Sequence, residues 1–139
     1  MIVYFHHLFV VLVRPSCNNS LDDTKQLIMT PNFPSPYKQK EICHWKLIAE
    51  CNETISLHFQ EFETELLHDY VQIIEERLCR CKYDSEKIAV GSDRLNGWTY
   101  PEVYESTYNA LQIEFVADCN VHYKGFKIYY TSTSKGTII

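Results

Sequence analysis

Three prolines within six residues, in Pro31-Asn32-Phe33-Pro34-Ser35-Pro36-Tyr37, constrain this chain more than any other feature. Each proline lacks an N–H and has a fixed φ, so the stretch cannot lie inside a helix or a central strand. It must form a rigid, extended turn. Short apolar runs of strand character flank it, Leu27-Ile28-Met29 before and Trp45-Lys46-Leu47-Ile48 after. A cysteine brackets each side, Cys17 ahead of the turn and Cys43 just beyond it.

Ten tyrosines and seven phenylalanines agree with that reading, because aromatic side chains pack well on a pleated surface. A chain of 139 residues is long enough for one core and too short for two. A net charge of −5 without a basic block argues against nucleic acid or an anionic membrane as partner. Six cysteines point to disulfides and an oxidising compartment. Two N-glycosylation sequons agree, Asn18-Asn19-Ser20 and Asn52-Glu53-Thr54. The apolar run Leu8-Phe9-Val10-Val11-Leu12-Val13 is too short to span a bilayer, so residues 1–16 are expected as a signal peptide. Arg14-Pro15-Ser16 makes a poor cleavage site, and the alternative is a first strand of the fold. No second apolar run suggests a membrane anchor.

Strand signals recur downstream. Ile55-Ser56-Leu57-His58-Phe59 and Leu111-Gln112-Ile113-Glu114-Phe115-Val116 alternate apolar and polar residues, with Leu111, Ile113 and Phe115 expected to face inward. Tyr70-Val71-Gln72-Ile73-Ile74 and Gly125-Phe126-Lys127-Ile128-Tyr129-Tyr130 complete the set. Glu50 to Thr54 is expected as a hairpin connection, Glu75-Glu76 as a solvated acidic pair, and residues 132–139 as a flexible tail. Several short strands at regular spacing predict an all-β antiparallel sandwich over residues 17–131.

In order and spacing the chain resembles the CUB domain family of extracellular β-sandwich modules. That family opens on Cys, then an Ile-x-Ser-Pro-Asn-Tyr/Phe-Pro-x-x-Tyr turn, then Cys-x-Trp; here Ile28 to Tyr37 precede Cys43-His44-Trp45. Its middle, Phe-x-x-Phe-Asp-x-Glu and then Tyr-Asp-x-Val-x-Ile, is matched by Phe59 to Glu65 and by His68-Asp69-Tyr70-Val71-Gln72-Ile73. Its end, Leu-x-Ile-x-Phe-x-Ser-Asp and then Gly-Phe, is matched by Leu111 to Asp118 and by Gly125-Phe126. The resemblance implies a jelly-roll sandwich with a first disulfide between Cys17 and Cys43. On a chain-entropy estimate such a closure contributes about 3–4 kcal/mol.

The family's second disulfide has no counterpart, since its positions fall near Leu66 and Asn96. Cys51, Cys79, Cys81 and Cys119 stand instead, with a longer stretch from Glu75 to Asp93. Strand polarity favours Cys51 with Cys79 or Cys81, and the three possible pairings stay open. Zinc on Cys79-x-Cys81 is the alternative, at a spacing unlike the usual one.

Many members of the family hold Ca²⁺ at one end of the sandwich through three acids. By motif these are Glu65, Asp69 and Asp118, with Asn120 able to complete the shell. Ca²⁺ takes six to eight oxygen ligands, and converging carboxylates repel one another without a cation. The Glu65-to-Asp69 spacer is shorter than the family's, and His68 and Ala117 replace a tyrosine and a serine. The alternative is a solvated loop of Glu61, Glu63, Glu65 and Asp69. The resemblance further implies a protein partner whose Lys or Arg side chain is captured by Glu65, His68 and Asp118. A single-domain secreted protein that binds glycans or cell surfaces is the other reading, and an accessory module of a larger protease or receptor precursor a third. His-Glu-x-x-His and Gly-x-Ser-x-Gly are missing from the sequence, and His44, His58 and His122 are scattered, so no enzyme is expected.

Overall fold

The computed structural model describes residues 9–13, 17, 21–22, 25–65, 68–78, 88–95, 97, 100–118 and 123–134. In chain order the strands are β1 (Phe9–Val13), β2 (Leu21–Asp22), β3 (Leu27–Met29), β4 (Ile42–Ile48), β5 (Glu53–Glu63), β6 (Tyr70–Arg77), β7 (Ile88–Leu95), β8 (Val103–Glu105), β9 (Ala110–Val116) and β10 (Gly125–Ser134). They form two five-stranded sheets, ordered β1-β4-β9-β6-β7 and β2-β3-β10-β5-β8, with antiparallel pairing throughout. The predicted sandwich is therefore what the chain builds. Among the described residues no helix is long and apolar enough to cross a membrane.

The core forms where the alternating faces meet. Trp45 and Leu47 from β4, Leu111, Ile113 and Phe115 from β9, and Val71 and Ile73 from β6 line one inner face. Ile55, Leu57, Phe59 and Phe62 from β5 and Phe126, Ile128 and Tyr130 from β10 line the other. Phe59 and Phe62 both point inward although three residues apart. The register explains it, for Phe59 pairs with Ile128 and Glu61 with Lys127, leaving Gln60 as the extra residue of a bulge. Phe115 and Phe126 meet edge to face at 5.5 Å across the sheets, and Trp45 meets Phe126 at 5.8 Å. Burying each such side chain contributes about 2–3 kcal/mol.

Cys17 and Cys43 are bonded, with Cα atoms 5.6 Å apart, which pins the proline turn against β4. The turn folds tightly: Phe33 N–H donates to Thr30 O at 3.1 Å, and Ser35 N–H to Asn32 O at 2.7 Å. Gly125, with φ +90°, lies against Thr30, and a Cβ there would stand 1.9 Å from Thr30 Oγ1. Only glycine fits this position.

Several expectations need correction. Residues 49–52 do not make a hairpin; they carry the chain from one sheet to the other, because β4 is already flanked by β1 and β9. β6 runs to Arg77, and Ile88–Leu95 returns beside it as β7. The last strand continues to Ser134, where Thr131 to Ser134 pair with Ser56 to Glu53. Residues 9–13 pair with β4 as an edge strand, the alternative that the sequence held beside a signal peptide. Glu75 and Glu76 are buried rather than solvated.

Candidate metal centre

One end of the sandwich gathers the C-terminal ends of β5 and β9 and the N-terminal ends of β4, β6 and β10. β6 and β9 pair as far as Tyr70 with Val116. Just beyond that pair, Asp69 and Asp118 stand side by side. Asp118 N–H donates to Asp69 Oδ1 at 2.8 Å. Between β5 and β6 the chain turns tightly enough that Glu65 O accepts from both His68 N–H (3.2 Å) and Asp69 N–H (3.0 Å). The shortened spacer thus brings Glu65 back over Asp69. One carboxylate oxygen from each of Glu65, Asp69 and Asp118 lies within 4.8 Å of the others.

Asp69 is fully buried and held on both oxygens, for Tyr37 Oη donates to its Oδ2 at 2.5 Å. The Tyr37 hydroxyl also accepts from Glu65 N–H at 3.3 Å, so one phenol fixes two acids of the cluster. Its ring stands edge to face with Phe115 at 4.9 Å, which ties the cluster to the core. Burial, then the hydrogen bond to Asp69 and that carboxylate's charge, push the Tyr37 hydroxyl far above the usual phenol range. It therefore stays protonated and remains a donor. Thr64 braces the turn beneath: its hydroxyl donates to Asp69 O at 3.4 Å and accepts from Gly97 N–H at 2.9 Å.

Glu65 differs from Asp69. The residue is partly exposed, yet its Oε1 is shielded from solvent and, among the described residues, has no hydrogen-bond partner. Desolvation, then the charges of Asp118 and Asp69, push its carboxyl above the usual carboxylate range, against the opposing effect of His68. His68 Nδ1 lies 3.6 Å from Asp118 Oδ2, at the exposed rim. Three hard oxygen donors, one of them unsatisfied, make a set that suits a divalent cation. The reading of residues 61–69 as a solvated loop fails at Asp69, which is buried beneath the turn. Cys17, Glu41 and Cys43 also converge, but their sulfurs form the disulfide and offer no thiolate.

Asn120, Asn18, Cys79, Cys81, Cys119 and His122 lie outside the described residues. Cys51 is disulfide-bonded, so it holds no thiolate for zinc. Asn52 is exposed in the turn before β5. His44 and His58 make ordinary contacts, His44 Nε2 with Gln112 Oε1 at 2.8 Å and His58 Nε2 with Thr131 Oγ1 at 3.3 Å. Sequence reasoning missed Tyr37 as a member of the site, although it ends the proline turn that opened the argument. A tyrosine held behind three prolines and a disulfide is a rigid place from which to aim a hydroxyl.

A family model described as CUB domain matches residues 17–130. The human Tumor necrosis factor-inducible gene 6 protein is 32% identical over 120 residues, which cover 84% of this chain and 40% of that protein. Bone morphogenetic protein 1 of Xenopus laevis is 33% identical over 130 residues, covering 88% of this chain and 17% of that one. The chain thus spans well under half the length of these curated relatives. Among solved structures, the full extracellular region of zebrafish Gpr126/Adgrg6 superposes with a TM-score of 0.67 at 25% identity, covering 86% of this chain and 15% of that one. The MASP-1 CUB2 domain, solved bound to Ca²⁺, shares the fold with a TM-score of 0.56 at 22% identity, covering 75% of this chain and 88% of that one.

Proposed function

The chain belongs to the CUB domain family, and from that premise we propose that it is an extracellular protein-binding module whose acidic end holds Ca²⁺. The observation that carries the reading is the cluster itself: one carboxylate oxygen each of Glu65, Asp69 and Asp118 lies within 4.8 Å of the others, and Glu65 Oε1 is shielded from solvent with no donor among the described residues. A chain has two ways to satisfy such an oxygen, a proton or a cation. At neutral pH in the calcium-rich extracellular space, the cation is the stronger candidate. That the fold neighbour MASP-1 CUB2 was solved with Ca²⁺ makes this ion the first to test.

In this reading Glu65, Asp69 and Asp118 hold the ion, and Asn120 is the proposed fourth side chain. Tyr37 keeps Asp69 oriented whether or not the ion is bound. The ion neutralises the mutual repulsion of the acids and orders the 65–69 turn. Ordered in this way, the outer oxygens of Glu65 and Asp118, with His68 beside them, form an acidic rim for a Lys or Arg side chain of a partner protein. A rim ion pair by itself is worth about 0–1 kcal/mol, so the ordering of the rim in advance is what makes the contact useful. The role is binding and not catalysis.

Calorimetric titration of the oxidised chain with CaCl₂ tests the site. The expected result is a saturable one-site isotherm that disappears in Asp118→Asn and weakens in Glu65→Gln. An isotherm unchanged by both substitutions would place the ion elsewhere, and no heat in a folded sample would remove it.

A further inference from the structure

We propose that Asn52 carries an N-linked glycan, and that this glycan covers the end of the sandwich opposite the carboxylate cluster. This goes beyond the calcium reading and does not depend on it. The sequon Asn52-Glu53-Thr54 occupies a tight turn in which Glu53 N–H donates to Glu50 O at 2.9 Å and Glu50 N–H to Glu53 Oε1 at 3.0 Å. The turn is closed by its flanking glutamates, so Asn52 is not needed to hold it. Its side chain is exposed, and no hydrogen bond to it occurs among the described residues.

The strand beyond is open on one side. β8 pairs with β5 only from Ser56 to His58, so among the described residues Asn52 to Thr54 have a strand neighbour only in β10. Both the acceptor amide and the Thr54 position are thus reachable beside a turn that does not rely on them. Eleven residues of β5 separate this turn from the acidic end, roughly 35 Å at about 3.3 Å per residue. A bulky, hydrophilic chain at Asn52 leaves the carboxylates uncovered and shields the end where the Asn109 side chain ties Ala49 to Leu78.

The transfer is an ordinary group exchange. The Asn52 amide nitrogen bonds to the anomeric carbon of a lipid-diphosphate-linked oligosaccharide, the sugar–phosphate bond breaks, and the lipid diphosphate leaves as the amide loses one proton.

Peptide mapping of the full chain secreted from a glycosylating eukaryotic cell tests the proposal. After glycosidase release in heavy-oxygen water, Asn52 is expected to be converted to labelled Asp. Thr54→Ser is expected to keep that signal, and Thr54→Val and Asn52→Gln to lose it. Unmodified Asn52 in the secreted, folded wild-type chain would overturn the proposal, whether or not the variants are secreted.

Discussion

The two ends of this sandwich solve the same problem in opposite ways. At the end that holds Asn109, a buried acid meets donors from its own chain. Glu75 Oε1 accepts from Thr107 N–H at 2.7 Å and Tyr108 N–H at 3.2 Å, and its Oε2 accepts from Tyr104 Oη at 2.7 Å. Asn109 does the same for backbone, donating to Ala49 O at 3.1 Å and to Leu78 O, and accepting from Leu78 N–H at 2.8 Å. Among the described residues, the Glu75–Tyr104 bond also ties one sheet to the other there. At the other end, among the described residues, three carboxylates face one another. Asp69 is satisfied by Tyr37 and the Asp118 amide, and Glu65 is left with a shielded oxygen and like charges beside it. A carboxylate surrounded by N–H groups is structure. One surrounded by carboxylates is a request for a cation.

The largest expected effect breaks the self-sufficient end. Asn109→Ala strands two carbonyls and an N–H in the interior and is expected to cost about 2–4 kcal/mol in urea unfolding, equally in Ca²⁺ and in EDTA. A cost that depended on Ca²⁺ would mean the two ends are coupled.

Next is the ion itself. At a hundredfold excess over its Kd, Ca²⁺ is expected to stabilise the wild-type chain by about 2.7 kcal/mol, or roughly 8 °C in Tm. Asp118→Asn is expected to abolish that shift in the same thermal melt.

The pH dependence is smaller and changes sign. The folded pKa of Glu65 is raised, so between the ordinary carboxylate pKa and that raised value the folded state binds more protons than the unfolded. Without Ca²⁺, stability at this end is therefore expected to fall as pH rises through that window, starting near pH 4. Glu41, raised by burial, contributes with the same sign, and Glu65→Gln is expected to remove only the Glu65 share. With Ca²⁺ the slope reverses, because protons compete with the ion. Melts across pH in EDTA and in CaCl₂ check both signs.

The smallest effect concerns Lys124 and Glu61, an exposed ion pair at 2.6 Å on the same half of the molecule. Lys124→Ala is expected to leave Tm within experimental error, since water screens such pairs. A clear loss would show that surface charge in general, and not the three-acid cluster, governs this end.

What could be read in advance follows the physics of each feature. Alternation in Leu111 to Val116 is local, and it fixed which residues face inward. The proline turn is local as well, whereas the Cys17–Cys43 bond was legible through the family resemblance. β2 and β8 hold two and three residues, too few for any period, and β7 breaks its pattern with Gly91, Ser92, Asp93 and Arg94. Those strands exist because neighbours accept their hydrogen bonds. Glu75 looked solvated beside Glu76 because nothing along the chain says that a loop thirty residues later will bring it three donors. The three acids of the cluster were legible only through family resemblance. Tyr37 in its role between two of them needed the fold.

Amide hydrogen exchange in CaCl₂ and in EDTA tests the central contrast most directly. The amides of Glu65, His68, Asp69 and Asp118 are expected to exchange markedly more slowly with Ca²⁺, while those of Leu78, Thr107 and Tyr108 keep the same rates. Equal rates at the acidic end in both solutions would contradict the account, because that end would then be as complete without a cation as the other.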